Sequence, residues 1–379
     1  MIRREEIIEI AKNYDLKNIS ISSIGSHSAL DISSGAKKHG FKTLVVCQKG
    51  REKTYSKYYI RRKYFNRDVG CIDEVILLDK FRDMLNEEVQ QKLLENNAIF
   101  IPSRSFMVYV GYDGIENTFK VPLFGNRFLL RAEERDVERN QYYLLDKAKI
   151  RKPIIFKDYS EIDRVVIVKV SEAERRYERA FFFVSSPEEY EQVAGKLVKE
   201  GKIREEDLEK ATIEEFVVGA QFNFNFFYSP LTGELELMGI DTRRQTNLEG
   251  IIRLPAEWQL KLLKKINVKF IETGHIACTL RESLLEKVFD YGERLVRTVA
   301  EEYPPGIIGP FALQGAVVPG PPREDIVIFD VSFRVPGSPG TPYTPYTFYR
   351  WGENISVGER IAIEIKYAIS EDRIEELLT

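Results

Sequence analysis

The sequence has few of the residues on which several classes of protein depend. It contains 3 cysteines and 3 histidines among 379 residues. Cys47, Cys71 and Cys278 are far apart and form no C-x-x-C pair, which argues against a disulfide framework or a thiolate metal site and favours a reducing cytoplasm. No apolar run reaches the ~18 residues of a membrane span, and the N-terminus leads into an amphipathic helix at residues 5–13 rather than a signal peptide. We therefore expect a cytoplasmic protein with no membrane partner.

Several common catalytic motifs are absent as well. The chain has no G-x-G-x-x-G after a strand, no G-x-x-x-x-G-K-[ST], no H-E-x-x-H and no nucleophile-elbow serine. A basic, aromatic stretch at residues 51–65 is of a kind found in nucleic-acid-binding proteins, but the formal net charge of −3 favours a solvated face or a phosphate-facing loop. We expect no nucleic-acid partner.

What the chain has is enough apolar sequence for a large core. Hydrophobic residues make up 43% of it, and its length exceeds one ordinary domain. Apolar strands at residues 19–25, 43–47, 74–78 and 98–102 alternate with helical segments, which predicts a parallel, doubly wound sheet. Ligands bind at the carboxyl ends of such strands, so the loops at residues 25–30 and 102–106 should face one pocket.

The later part of the chain mixes strands and helices differently. We predict a join at residues 121–131, a charged helix at 132–147, and an exposed loop at 336–346 that could cover a site. Antiparallel pairs are indicated by alternation and by a turn at residues 230–233. The predicted strands are 165–170, 179–184, 213–218, 222–228, 234–239, 311–315 and 326–331, and the predicted helices are 187–211, 281–302 and 356–369.

Three features suggest a site for ATP. The segment Ile213-Glu214-Glu215-Phe216-Val217-Val218-Gly219 ends a strand whose backbone edge can bind adenine. Lys169 lies in an apolar strand and would reach phosphate, whereas Gln314 and Asp330 lie in two later apolar strands and offer oxygen ligands for the magnesium of ATP. The combination is typical of ATP-grasp ligases.

Each of these residues also has an alternative explanation. Lys169 taken alone favours a surface lysine, and the two glutamates are compatible with solvated charges. Gln314 and Asp330 are compatible with a buried hydrogen bond, although their pairing favours the metal. His27 and Ser28 lie at a strand-to-helix turn that could bind a monophosphate, or that could carry a capping serine and an incidental histidine.

Motifs along almost the whole chain resemble the archaeal PurP family. They include Gly25-Ser26-His27-Ser28, Val121-Pro122-Leu123-Phe124-Gly125-Asn126-Arg127, the segment from Ile213 to Gly219, Arg281-Glu282-Ser283-Leu284-Leu285 and Pro304-Pro305-Gly306-Ile307-Ile308-Gly309-Pro310-Phe311. The resemblance implies an ATP-grasp ligase that uses ATP and formate to convert AICAR nucleotide to FAICAR in purine biosynthesis, through formyl phosphate. It also implies a homo-oligomer.

The resemblance implies a fold and a division of the chain. The fold class is mixed α/β and α+β, an ATP-grasp fold preceded by a Rossmann-like domain. Residues 1–120 would form the substrate-nucleotide domain, 121–220 a small ATP-grasp subdomain with a connecting helix, and 221–379 the C-terminal ATP-grasp domain with the metal site.

The resemblance also implies roles for individual residues. Those predicted to bind the AICAR nucleotide are His27, Ser28, Ser105, Asn247 and His275. Those predicted to bind ATP are Lys169, Glu214, Glu215, Val217 and Asn223, and the ligands of Mg²⁺, or alternatively Mn²⁺, are Gln314 and Asp330. No protein nucleophile is required.

The chain departs from the family pattern at several positions. Residues 171–179 read SEAERRYER, where the family has a glycine-rich phosphate loop. Asp330 replaces a glutamate, and His275 replaces an amide. Two alternatives to FAICAR synthesis therefore stay open: an ATP-grasp ligase with a different acid or amine substrate, and a catalytically weak paralogue that binds nucleotide and associates with an active subunit.

Overall fold

The computed structural model describes residues 1–170, 181–266, 268–320 and 322–379. Three main sheets follow one another along the chain and are joined by helices. Within the described ranges, no helix is both long and apolar enough to cross a bilayer.

The N-terminal sheet is parallel, as the alternation predicted. Its strand order is β5-β2-β1-β6, while β3 and β4 form a separate hairpin. The strands are β1 (Ser20–Ile24), β2 (Lys42–Gln48), β3 (Arg62–Tyr64), β4 (Arg67–Val69), β5 (Glu74–Leu78) and β6 (Ala98–Phe100). The helices are α1 (Arg4–Lys12), α2 (Ala29–Lys38), α3 (Glu87–Glu95), α4 (Arg104–Val110) and α5 (Tyr112–Asn117). Because β1 and β6 are neighbours, the loops that follow them emerge side by side.

The middle sheet is antiparallel, with the order β7-β10-β8-β9. Its strands are β7 (Ile155–Phe156), β8 (Val166–Lys169), β9 (Phe181–Val184) and β10 (Thr212–Glu215), and the helices of this region are α6 (Gln141–Lys147), α7 (Pro187–Lys199) and α8 (Glu205–Glu209). The predicted strand at 213–218 is too long, because beyond Glu215 the chain leaves this sheet and enters the next.

The predicted helix at residues 132–147 is also wrong in extent. A 3₁₀ helix covers Arg127–Glu133, and α6 begins only at Gln141. Asn140 ends the intervening irregular segment, since its Oδ1 accepts hydrogen bonds from the Tyr142 and Tyr143 backbone N–H groups and so caps α6.

The C-terminal sheet has five antiparallel strands in the order β13-β12-β11-β14-β15. They are β11 (Ala220–Ser229), β12 (Glu234–Asn247), β13 (Phe270–Cys278), β14 (Gly309–Val318) and β15 (Asp325–Ser332). The helices are α9 (Leu248–Ile251), α10 (Ala256–Leu263), α11 (Leu285–Glu302), α12 (Tyr346–Trp351) and α13 (Val357–Ser370). Aromatic side chains of β11 and β14, such as Phe226 and Phe311, are fully buried and stack 5.1 Å apart between ring centroids.

The last helix returns to the N-terminal sheet. A Cβ at Gly35 of α2 would lie 2.2 Å from the Glu359 nitrogen of α13, and a Cβ at Gly358 would lie 2.3 Å from the Asp31 carbonyl oxygen. The two helices therefore touch backbone to backbone, and a side chain at either glycine would force them apart. The division of the chain at residues 120 and 220 stays a prediction.

The loop at 336–346 differs from the expectation of an exposed cover. Ser338, Thr341 and Thr344 are buried, and Thr341 and Thr344 pack against Gly239 of β12. The many small and proline residues of this loop reflect close packing between the N-terminal sheet and β12, rather than exposure.

Candidate active site

A polar row crosses the C-terminal sheet. The register places Asn223 of β11 opposite Asp241 of β12 and opposite Gln314 of β14, and Gln314 lies opposite Asp330 of β15. Because opposed residues of antiparallel strands project from the same face, these four side chains share one face of the sheet. Two members of the row are hydrogen-bonded to each other, since Asn223 Nδ2 donates to Asp241 Oδ2 at 2.7 Å.

Gln314 is the member of the row whose hydrogen bonding is incomplete. Its side chain is buried, and among the described residues its Oε1 has no hydrogen-bond partner. Its Nε2 lies 3.5 Å from Ser332 Oγ, at the outer limit of a hydrogen bond. A buried amide oxygen without a partner costs about 1–3 kcal/mol, so a ligand at this oxygen would relieve a real penalty.

The donor set of this pair fits magnesium. Asp330 supplies a carboxylate whose Oδ1 accepts a hydrogen bond from Arg135 Nη2 at 3.0 Å, and Gln314 supplies the amide oxygen. Magnesium prefers such oxygen ligands and is commonly held by one or two protein groups together with substrate phosphates. No group of three or more His, Cys, Asp or Glu side chains suited to a metal occurs in the described part of the chain, so an ion here would need phosphate oxygens as well.

A buried ion pair lies on two strands of the middle sheet. Lys169 Nζ of β8 contacts Glu214 Oε1 of β10, and the Tyr142 hydroxyl donates to Glu214 Oε2. Glu214 is 2% exposed, so both carboxylate oxygens are engaged within the protein. Burial and the neighbouring charge of Arg135 lower the pKa of Lys169, although Glu214 opposes the shift.

Arg135 connects this ion pair to the polar row. Its Nε donates to the Tyr142 hydroxyl at 3.2 Å, and its Nη2 reaches Asp330 at 3.0 Å. A continuous chain of contacts thus runs from Lys169 through Glu214, Tyr142 and Arg135 to Asp330. Two cationic side chains, Lys169 and Arg135, are thereby connected to the carboxylate of Asp330. Phosphoryl transfer needs positive charge gathered in this way, because negative charge on the phosphate oxygens must be stabilised.

Glu215 and Val217 lie where β10 ends. The Glu215 backbone N–H donates to the Ile154 carbonyl oxygen at 2.8 Å, and its side chain accepts from the Ile154 N–H at 3.3 Å. Val217 is 8% exposed and packs against Ala316 and Val327 of the next sheet. Their contribution to adenine binding, and that of Glu214, stays a prediction.

The turn after β1 holds the predicted nucleotide-binding residues. Ser28 adopts the left-handed conformation with φ 67°, and its hydroxyl donates to the Pro336 carbonyl oxygen at 2.9 Å instead of capping α2. Ser105, in the first turn of α4 just after the loop that follows β6, donates through its Oγ to Ser26 Oγ at 2.8 Å. The two loops that we expected to face one pocket do meet.

The two remaining predicted residues lie on β13 and β12, at one edge of the C-terminal sheet. His275 of β13 contacts Asp241 through Nδ1 and lies 2.8 Å from Glu272 Oε1 through Nε2. Burial opposes its protonation, but hydrogen bonds to the two carboxylates prevail and raise the pKa of His275 to about 9. Asn247, at the end of β12, accepts a hydrogen bond from the Lys269 backbone N–H at 2.7 Å, and its role in the pocket stays a prediction.

Comparisons with known proteins bear on the whole chain. Two family models match it, a domain of unknown function, DUF1297, over residues 189–379 and a protein of unknown function, DUF1246, over residues 21–156. The 5-formaminoimidazole-4-carboxamide-1-(beta)-D-ribofuranosyl 5'-monophosphate synthetase of Methanopyrus kandleri is 42% identical, and the alignment covers 100% of both chains. The enzyme of the same name from Methanocaldococcus jannaschii is 41% identical with the same coverage. A crystal structure of an IMP biosynthesis protein PurP from Thermococcus kodakaraensis matches with a TM-score of 0.68 and 30% identity over 95% of this chain and 100% of that chain.

The chain belongs to the PurP family.

More distant structures support the ATP-grasp fold of this PurP family member. The ADP complex of N5-carboxyaminoimidazole ribonucleotide synthetase has a TM-score of 0.55 at 13% identity, over 85% of this chain and 72% of that chain. A likeness at such low identity concerns the fold alone. The expectation of an ATP-grasp fold preceded by a Rossmann-like domain is confirmed.

Sequence reasoning missed several residues of this candidate site. Arg135 lies in a charged stretch that gives no sign of its partial burial, and Tyr142 reads as one aromatic of a helix. Asp241 was detectable, because it is a carboxylate inside the apolar strand β12 and is fully buried. Residues 171–179, which stand where the family has a glycine-rich phosphate loop, lie outside the described residues.

Proposed function

We propose that this protein is an ATP-dependent ligase that formylates the amine of AICAR nucleotide to give FAICAR, with formate as the source of the formyl group. The observation that carries the proposal is the cluster in which Gln314 lies opposite Asp330, and Asp330 is connected through Arg135, Tyr142 and Glu214 to Lys169. The full-length relatives are named as synthetases of the formylated nucleotide, which supplies the substrate.

The reaction would proceed in two steps. A formate oxygen attacks the γ-phosphorus of ATP, the bond to the bridging oxygen breaks, and ADP leaves with formyl phosphate formed. The AICAR amine then attacks the formyl carbon, phosphate leaves, and the amine loses a proton. Neither step needs a protein nucleophile, so the protein contributes positioning and charge stabilisation.

The described residues divide these tasks between them. Lys169 would stabilise the phosphates of ATP, with Arg135 adding positive charge from the same cluster. Gln314 and Asp330 would hold Mg²⁺, which neutralises charge on the phosphate oxygens when it is bound. The AICAR nucleotide would bind where the turn after β1 meets the start of α4, because backbone N–H groups favour anions there. The residues that would bind it are His27, Ser28 and Ser105.

Two further properties belong to the proposal. We infer that the protein assembles as a homo-oligomer, as the family resemblance implies, and that it acts on free nucleotides rather than nucleic acid. Size-exclusion chromatography with light scattering tests the first, and a binding titration with single-stranded and double-stranded DNA and RNA tests the second.

The decisive experiment incubates the protein with Mg²⁺-ATP, formate and AICAR nucleotide, and follows FAICAR and ADP together. We expect FAICAR and ADP in equal amounts, both dependent on formate. Asp330→Asn should reduce the rate by about 100-fold or more, because a charged ligand of the phosphate-bound ion is lost. Asp325→Asn, at the other end of β15, removes a carboxylate that accepts from Arg151 at 2.7 Å and should leave the rate within about twofold.

Other outcomes of this experiment distinguish the alternatives. ADP release that depends on a different acid or amine would indicate a ligase of other specificity. Nucleotide binding without any ADP or FAICAR would favour a weak paralogue. Equal losses in the two variants would contradict the assignment of Asp330.

A further inference from the structure

We propose that Glu272 is a positioning residue that fixes the His27 imidazole at the nucleotide-binding turn, an inference that rests on the proposed function. Three nitrogen atoms converge on its carboxylate. Glu272 Oε1 lies 3.2 Å from His27 Nε2 and 2.8 Å from His275 Nε2, and Glu272 Oε2 lies 3.1 Å from Arg243 Nε. The side chain of Glu272 is 26% exposed, so these contacts are partly shielded from solvent.

The contact joins parts of the protein that are distant in sequence. His27 belongs to the turn between β1 and α2 of the N-terminal sheet, whereas Glu272 belongs to β13, an outer strand of the C-terminal sheet. Glu272 therefore connects the C-terminal sheet to the position of His27, in the turn that follows β1.

The His27 ring is confined from a second direction. A Cβ at Gly337 would lie 1.6 Å from His27 Cε1, so the imidazole occupies the space that the absent side chain leaves. With Nε2 bonded to Glu272, the other ring nitrogen, Nδ1, lies 3.4 Å from Ser28 Oγ. A carboxylate that accepts from one imidazole nitrogen sets the orientation of the ring and the nitrogen that remains for a ligand.

Glu272 is itself held by a rigid network. Protonated His275 lies between Glu272 and Asp241 and so separates two carboxylates that would repel each other. Asp241 is fully buried and accepts from Asn223 Nδ2 and Asn225 Nδ2, each at 2.7 Å. The position of His27 is thereby tied to the same sheet face that carries Gln314.

The test measures AICAR nucleotide binding by isothermal titration calorimetry, together with the KM values for AICAR nucleotide and ATP. We expect Glu272→Gln to weaken nucleotide binding about tenfold, the usual effect of removing an orienting carboxylate, while the KM for ATP stays within about twofold. Asp325→Asn, which also removes a partly buried carboxylate held by two cations, should change neither quantity. Thermal melts of both variants report any loss of stability separately.

A double-mutant cycle decides whether Glu272 acts through His27. If it does, Glu272→Gln has no further effect on binding once His27→Ala is present. Independent, additive losses would overturn the inference, as would a lowered melting temperature with unchanged binding, or tighter binding by Glu272→Gln. A wild-type protein that neither binds nor converts the nucleotide would overturn the proposed function and this inference with it.

Discussion

Replacing Gln314 by methionine should stabilise the protein and weaken its response to Mg²⁺-ADP. Methionine has nearly the shape of glutamine without its amide. The substitution removes the penalty of about 1–3 kcal/mol for a buried oxygen without a partner, and it gives up only the 3.5 Å contact with Ser332, worth about 0.5 kcal/mol. The net gain is about 0.5–2.5 kcal/mol, and each kcal/mol corresponds to a rise in Tm of about 2–4 °C for a cooperative unit of about 150–250 residues.

The assay is a thermal melt in EDTA and again with saturating Mg²⁺-ADP. A ligand present at about 100 times its Kd stabilises the wild type by about 2.7 kcal/mol, and Gln314→Met should lose much of this shift. Gln141 is the matched control, because it is also a buried glutamine but has both amide ends bonded, to the Glu133 carbonyl oxygen and the Val331 N–H at 2.7 Å each. Gln141→Met should lower the melting temperature.

The opposite result would refute the reasoning. If Gln314→Met melts below the wild type in EDTA and responds to Mg²⁺-ADP as the wild type does, Gln314 is a structural hydrogen-bonding residue. The metal ligand would then have to be sought elsewhere.

Three further predictions concern charged groups. Lys169→Met should raise the KM for ATP by about tenfold or more without changing AICAR nucleotide binding, and an equal effect on both would contradict its placement at the phosphates. Arg360 donates to Glu236 at 2.8 Å with both side chains at most 4% exposed, so Arg360→Met should lower the free energy of unfolding by about 3–5 kcal/mol in urea titrations, and a loss under about 1 kcal/mol would contradict this. His275 has a folded pKa of about 9, above the ~6.5 of an unfolded histidine. Its contribution to the free energy of unfolding is therefore complete below about pH 6.5 and is lost as the pH rises through about 9. Thermal melts from pH 6 to 10 should show this loss in the wild type and less of it in His275→Asn.

The strands were largely predictable because they follow local periodicity. Residues 43–47 and 74–78 are runs of apolar, β-branched sequence, and the structure has β2 and β5 there. The helix predicted at 132–147 failed because charge pattern alone does not show where a helix begins. Asn140 is a capping residue that would have placed the start of α6 correctly.

Individual residues of the candidate site could be predicted from the sequence, but their contacts with one another could not. Gln314 and Asp330 stand out because each interrupts an apolar strand, and their pairing follows once β14 and β15 are recognised as neighbours. Nothing local indicates that Arg135 reaches Asp330, since an arginine in a charged segment is usually exposed. Contacts across nearly 200 positions depend on the packing of whole sheets, which periodicity does not encode.

Polar side chains within apolar strands fall into two groups in this protein, and the difference between them indicates function. Asp241 is buried yet fully engaged by Asn223, Asn225 and His275, so its burial is accounted for by the protein alone. Gln314, on the same face, has an oxygen with no partner among the described residues. Mg²⁺ bound beside Asp330 would give this oxygen the partner that it lacks and would remove the cost. The incomplete member of the row is therefore a stronger indication of a ligand than the number of polar residues around it, and Gln314→Met is the variant in which stability and ligand binding should change in opposite directions.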